Sequence, residues 1–241
     1  LEIKGFQEVS FLDWPGKNCA VIFLNNCNFR CQYCHNGELA RGLESQNIPP
    51  AYILSKLYDK REWLDGLVIS GGEPTLNRLL VEFCRDVKTH IGIQIKLDTN
   101  GSNPRLLEML LAQDLIDKVS MDIKAPFEEE HYKTICSAHV DLQQLEASIA
   151  LILDRNLDYE FRTTIVPTLL SEEDVLQIAC ELSCICGTVQ EYTLQNFNPA
   201  HVLNPALSNL SPYPSTIFRR LRTKILTDYQ VLKCNIKGCT D

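Results

Sequence analysis

The sequence has no apolar run approaching the roughly 18 residues that a membrane-crossing helix needs. Its start, LEIKGFQEVSFLDWPGK, lacks both the basic stretch and the apolar stretch of an export signal. A basic excess is missing too: 23 Lys and Arg face 31 Asp and Glu, for a formal charge of −8. That balance argues against a general nucleic-acid surface, although it leaves a local groove open. These absences predict a cytoplasmic chain with no membrane span and no nucleic-acid partner. Eleven cysteines are present, an odd count. Without an export signal they read as thiols kept reduced, some of them binding metal, and not as a disulfide scaffold.

What is there is a regular alternation. Apolar, β-branched runs lie at 20–26, 66–70, 93–99, 118–124, 159–166 and 189–197. Helical candidates with leucines and isoleucines at spacings of three and four lie at 51–64, 78–90, 104–115, 142–156 and 171–184. Ser171, with Asp174 at the capping-box position, marks the last of these starts. Six strands separated by helices predict an α/β fold of parallel βα units in one domain. Such folds carry their chemistry in loops at the carboxyl ends of strands. After Pro199 the pattern weakens, leading to a basic helix at 216–226 and a strand-like tail at 229–233. Residues 1–199 are therefore expected to form a core with an N-terminal extension. Residues 200–241 are expected to form an extension packed on that core.

The motifs do follow the runs. CNFRCQYCHN (27–36) comes after the first, with Cys27, Cys31 and Cys34 spaced C-x3-C-x2-C and no fourth cysteine nearby. Thiolates are soft ligands that select zinc, copper(I) or iron–sulfur clusters. A structural zinc would need a fourth ligand from Cys19, Cys84 or the tail cysteines, since His35 is awkwardly adjacent to Cys34. The other solution is a four-iron cluster with one iron left open to a small molecule.

SGGEP (70–74) follows the second run. Its two glycines allow close backbone approach to a ligand, or form an ordinary tight turn. It lacks the Lys-Ser/Thr pair of a phosphate loop. DTNG (98–101) closes the third run, where alternation puts Ile93, Ile95 and Leu97 on one face and Lys96 and Asp98 on the other. Asp122 and Lys124 repeat that alternation on the fourth. Charges there need partners or a ligand, and Asp98–Lys124 or Asp122–Lys96 ion pairs are candidates. Arg162, inside an apolar-flanked strand, needs a carboxylate such as Asp122 unless it snorkels to the surface. Cys180, Cys184 and Cys186 read as helical cysteines, with 180 and 184 on one buried face, in preference to a second cluster.

C-x3-C-x2-C with an aromatic residue before the last cysteine, followed by SGGEP at the next strand end, resembles the radical S-adenosylmethionine (SAM) superfamily. More specifically, FLDWPGK (11–17), VIFLNNCNFRCQYCHN (21–36), ISGGEPTL (69–76), KLDTNG (96–101), MDIKAP (121–126), RTTIVP (162–167) and YTLQNFNP (192–199) resemble the activating enzymes of glycyl-radical enzymes. FLDWPGK and LQNFNP favour the branch that activates anaerobic ribonucleoside-triphosphate reductase.

The resemblance implies a partial (βα)6 barrel and a 4Fe-4S cluster on Cys27, Cys31 and Cys34, with SAM chelating the open iron. It implies SAM contacts from Gly71, Gly72, Glu73, Asp98, Thr99, Asn100, Lys124 and Arg162. Tyr33, His35, Asn36 and Gln195 are expected on the cluster and adenosine side, with His35 bonding a cluster sulfur. A monovalent cation is expected on Asp98, Thr99, Asp122 and the carbonyl of Ser120. Where related enzymes end the sixth strand with a histidine, this chain has Gln195-Asn196-Phe197.

The implied activity is reductive cleavage of SAM and removal of a glycine Cα hydrogen in a glycyl-radical enzyme, with a flavodoxin or ferredoxin as electron donor. No residue is expected to act as an acid or base. Two other readings stay open: a radical SAM enzyme acting on a small molecule or peptide, and a non-enzymatic iron–sulfur or zinc module. The segment between Cys34 and Gly71 holds no cysteine, so no ferredoxin-type insert is expected.

Overall fold

The structure is a computed structural model and describes residues 1–43, 46–155 and 157–239. Asn156, the last residue of the helix expected over 142–156, lies outside them, as do Thr240 and Asp241 of the C-terminal extension.

The six apolar runs become six parallel strands. They are β2 (Cys19–Leu24), β3 (Gly66–Gly71), β4 (Gln94–Thr99), β5 (Lys118–Asp122), β6 (Asp158–Ile165) and β7 (Tyr192–Asn196). Two further strands extend the sheet. β1 (Ile3–Ser10) pairs antiparallel with β2, and β8 (Cys234–Lys237) pairs parallel with β7, so the spatial order is the chain order. The tail strand expected at 229–233 begins at Cys234 instead, because Val231 makes only an isolated bridge to Val189.

The expected helices appear as α2 (Pro50–Lys60), α3 (Leu80–Asp86), α4 (Pro104–Leu111), α6 (Leu142–Leu153), α7 (Glu172–Cys186) and α8 (Ser215–Asp228). Two short ones are additions, α1 (Gly37–Arg41) and α5 (Glu129–Cys136). The capping box forms as read: the Ser171 hydroxyl accepts from the Asp174 N–H, and the Asp174 carboxylate accepts from the Ser171 N–H.

The main core lies between the sheet's outer face and the helices. Ile95 and Leu97 of β4, Val119 and Met121 of β5 and Phe161 of β6 pack there with Leu107, Leu110, Ile149 and Ile152. Burying side chains of this size stabilises by about 1.5–3 kcal/mol each. The alternate residues of the same strands, Lys96, Asp98, Ser120, Asp122, Glu160 and Arg162, occupy the inner face. A small apolar cluster of Trp14, Cys19, Val21 and Val68 fills that inner face beside β2 and β3. The sheet thus separates an apolar exterior from a polar interior, which is where the strand-end loops converge.

One expectation fails here. Cys180 and Cys184 are exposed, because α7 buries Val175, Ile178, Ala179 and Leu182 and turns the opposite face outward.

Candidate functional site

β2 ends at Leu24 and releases the chain into the three-cysteine loop. Phe29 and Tyr33, both buried, anchor this loop in the main core. Its backbone is held from one side by the end of α5: the Arg30 N–H donates to the Cys136 carbonyl (2.7 Å) and the Gln32 N–H to the Ile135 carbonyl (3.1 Å). On the other side the Asn100 amide reaches the Cys27 sulfur at 3.8 Å and the Asn28 side chain at 3.0 Å. Cys27, Cys31 and Cys34 all line a cavity of about 710 Å³ at the carboxyl ends of the strands.

The next strand end packs on this loop. A Cβ at Gly71 (φ +116°) would meet the Leu24 backbone nitrogen at 2.3 Å, and one at Gly72 would meet the Asn26 carbonyl oxygen at 2.0 Å. The approach of β3 to the cysteine loop, a contact between protein segments, therefore requires glycine at both positions. Hydrogen bonds fasten the junction: the Gly72 N–H to the Leu24 carbonyl, the Glu73 N–H to the Asn26 carbonyl, and the Asn36 amide to the Gly71 carbonyl.

Glu73 is buried and held by four donors. Thr75 gives its N–H (3.1 Å) and hydroxyl (2.5 Å), Thr99 its hydroxyl (2.7 Å), and Asn100 its N–H (2.7 Å). Burial still pushes its carboxyl above the usual range, against these hydrogen bonds. Gly101, at φ +75°, turns the β4 loop where a Cβ would strike the Met121 side chain.

The inner charges pair along strands and across one neighbour. Lys96 lies 3.2 Å from Asp98, and Lys124 lies 3.2 Å from Asp122. Arg162 bridges both carboxylates, at 3.2 Å to Asp98 and 2.9 Å to Asp122. The expected Asp98–Lys124 and Asp122–Lys96 pairs are not the ones formed. Same-face residues two apart on one strand meet first, and the parallel register sets Asp122 directly opposite Arg162. Snorkelling of Arg162 is likewise overturned, since its side chain is only 15% exposed.

Glu160 was missed by the sequence reading, although it is an acidic residue on the inner face two positions before Arg162. It accepts from the Ser120 and Thr193 hydroxyls and lies 3.6 Å from Lys96. Burial opposes its charge, but Arg162, Lys96 and Lys237 hold its carboxyl down to about 2.

The cavity collects the expected residues: Tyr33, His35, Asn36, Gly71, Gly72, Glu73, Asp98, Thr99, Asn100, Asp122, Lys124, Arg162 and Gln195 line it with the three cysteines. Ser120 lies deeper, fully buried, its hydroxyl committed to Glu160. Of the four residues expected around a cation, Thr99 gives its hydroxyl to Glu73 and Asp122 is shared by Arg162 and Lys124. The buried Asp98 Oδ1 atom makes no hydrogen bond of good geometry but stands 3.2 Å from the Lys96 ammonium. His35 is exposed, and its ring meets the Ala200 backbone.

The donor set suits a cluster better than a single ion. Burial pushes the Cys27 thiol up to about 12 and raises Cys34, so both stay protonated near neutrality until a metal displaces the proton. No three His, Cys, Asp or Glu side chains among the described residues converge on one point, as a zinc tetrahedron would require. Cys19, Cys84 and Cys234 do not line the cavity. A cluster spreads its three thiolates over separate irons and needs no such convergence.

Cys136 is the one neighbouring cysteine that sequence spacing gave no sign of. Its neighbouring thiol draws Cys31 down to about 7 despite burial.

Comparison with known proteins follows the same residues. A family model described as the radical SAM superfamily matches residues 21–179. A Methanocaldococcus jannaschii protein named as a glycyl-radical enzyme activating enzyme is 34% identical over 239 residues, covering 94% of this chain and 92% of that one. The pyruvate formate-lyase-activating enzyme of Clostridium pasteurianum is 27% identical over 183 residues, 73% of this chain and 74% of that one. Among solved structures, Streptococcus suis SuiB bound to the precursor peptide SuiA matches with a TM-score of 0.71 and 14% identity. It covers 91% of this chain and 48% of SuiB, so this chain spans about half of SuiB and the likeness is one of fold.

Proposed function

This chain belongs to the radical SAM superfamily, and within it to the glycyl-radical enzyme activating enzymes; from that premise we propose that it installs the glycyl radical of an anaerobic ribonucleoside-triphosphate reductase. Membership implies one 4Fe-4S cluster and SAM. When bound, these supply an electron and a 5′-deoxyadenosyl radical, which takes one hydrogen from a glycine Cα of the partner.

The observation that carries the reading is the meeting of Cys27, Cys31 and Cys34 with Glu73, Lys124 and Arg162 around one cavity. The cysteines would hold the cluster. Gly71, Gly72 and Glu73 would receive the SAM amino group, while Lys124 and Arg162 would face its carboxylate. Tyr33, His35, Asn36 and Gln195 would border the adenosine. Asp98, Thr99, Asp122 and the Ser120 carbonyl would hold the monovalent cation.

The work left to the chain is orientation. Glu73, fixed by four donors, has no freedom to follow a misplaced ligand. The reductase is favoured as partner because both of its branch motifs reach the cavity, FLDWPGK through Asp13 and LQNFNP through Gln195 to Pro199. A flavodoxin or ferredoxin would supply the electron.

The test is anaerobic incubation of the reconstituted protein with dithionite, SAM and the reductase's large subunit, followed by electron paramagnetic resonance. A glycyl-radical doublet on the reductase supports the reading. Cleavage of SAM with no doublet on the reductase, and a doublet on another glycyl-radical enzyme, would reassign the partner.

A further inference from the structure

The site proposed above takes an electron from outside and admits a partner's glycine loop at its mouth. Two separate faces would let both bind at once. The cavity is one. A second concavity, about 570 Å³, lies beyond the same strand-end loops and is lined by Thr75, Leu76, Arg78, Asn103 and Arg105. No residue lines both, yet they share a wall: Thr75 bonds Glu73 inside the cavity, and Asn103 donates to the Thr75 carbonyl at 2.6 Å.

Three features mark this outer face. Arg78 and Arg105 are exposed, and neither has a hydrogen bond or ion pair among the described residues. Two unpaired guanidinium groups, with no acidic residue lining the concavity, are conspicuous on a chain of charge −8. Leu76 and Met109 of the lining stand 40% and 45% exposed, and Leu79, the residue after Arg78, stands 53% exposed, which gives apolar surface with a cationic rim. A short route leads inward. Asn103 follows Ser102, whose hydroxyl accepts from the Asn28 amide at 2.8 Å, and Asn28 is the residue next to Cys27.

We infer that this face, formed by the loop after β3 and the start of α4, docks the electron donor, a small acidic one-electron carrier of the flavodoxin or ferredoxin kind. The inference rests on the proposed function for the need of an electron. Its location rests on charge and exposure. Carboxylates around the carrier's cofactor edge would face Arg78 and Arg105, while Leu76, Leu79 and Met109 form the dry centre of the contact. The carrier's cofactor then stands on the Cys27 side of the cluster loop, and the cavity mouth stays free for the glycine loop. Donor and radical acceptor bind without excluding each other.

The experiment compares the reconstituted wild-type protein with an Arg78→Glu/Arg105→Glu variant, with a Leu79→Ser variant as a second probe. Binding of oxidised flavodoxin is followed by isothermal titration at low and at about physiological ionic strength, where screening is stronger. The expected result is binding weakened about tenfold or more by the double charge reversal and more modestly by Leu79→Ser, with loss of the wild type's salt sensitivity. In parallel, SAM cleavage driven by dithionite, which needs no docking, is expected to match wild type in both variants. Unchanged flavodoxin binding in the double variant overturns the inference. So does retained flavodoxin binding with lost binding of the glycyl-radical partner, which would assign the face to that partner. Failure of the wild type itself to cleave SAM with dithionite would instead refute the proposed function, and the titration would still report separately on docking.

Discussion

A Cβ on Gly72 would stand 2.0 Å from the carbonyl oxygen of Asn26, the residue before Cys27. The Gly-Gly-Glu strand end and the cysteine loop are thus one packed unit. Backbone, unlike the end of a flexible side chain, cannot step aside. Gly72→Ala is expected to displace the loop and lower iron bound after anaerobic reconstitution to well below half of wild type. Iron retention at the wild-type level would show that the contact is dispensable.

The division among the cysteines gives a sharper expectation. Cys27→Ala, Cys31→Ala and Cys34→Ala should each abolish SAM cleavage. Cys180→Ala and Cys184→Ala, on the exposed face of α7, should leave both iron content and cleavage unchanged. Iron analysis and chromatography of the cleavage products check both halves.

Arg162 is the hub of the inner charges. Removing it leaves Asp98 and Asp122 without the cation that bridges them. Stranding a buried charge without any partner costs about 3–5 kcal/mol, but Asp98 keeps Lys96 and Asp122 keeps Lys124. Arg162→Ala is expected to lose less than that in urea unfolding. Arg162→Lys should recover only part, because a single ammonium does not reproduce the planar fork that spans two carboxylates.

Acid should act through Glu160. Its carboxyl is held at about 2 against an ordinary 4.5. A depressed carboxyl contributes stability that is fully present above the unfolded value and is lost as pH falls through the folded value. Wild-type stability should therefore decline as pH drops from about 4.5 towards 2, and Glu160→Gln should flatten that decline while lowering stability at neutral pH. Thermal unfolding of the metal-free protein at several pH values measures it. Parallel curves for the two proteins would remove Glu160 from the account.

Much of this site could be read from spacing because each motif sits at the end of an apolar run. The run fixes a strand, and the strand end fixes the loop's position. The Lys96/Asp98 and Asp122/Lys124 alternation likewise announced a polar inner face. Which charges meet could not be read, since it depends on parallel register: Asp122 opposite Arg162 is a property of β5 against β6. Cys136 was invisible because tertiary packing, not spacing, carries it to Cys31, at the end of the eight-residue helix α5. The misreading of Cys180 and Cys184 was avoidable. Val175, Ile178, Ala179 and Leu182 already formed the i, i+3, i+4, i+7 stripe that places those cysteines outside. β1 became legible only as a partner for β2, because its own residues are mostly half-buried.

The most direct test of the central claim is the yield of 5′-deoxyadenosine from SAM, measured by chromatography after anaerobic reduction of protein reconstituted with about four irons. The account predicts 5′-deoxyadenosine and methionine in equal amounts from the wild type and neither from Cys31→Ala. A wild-type protein that holds its irons, is reduced, and leaves SAM intact would contradict it.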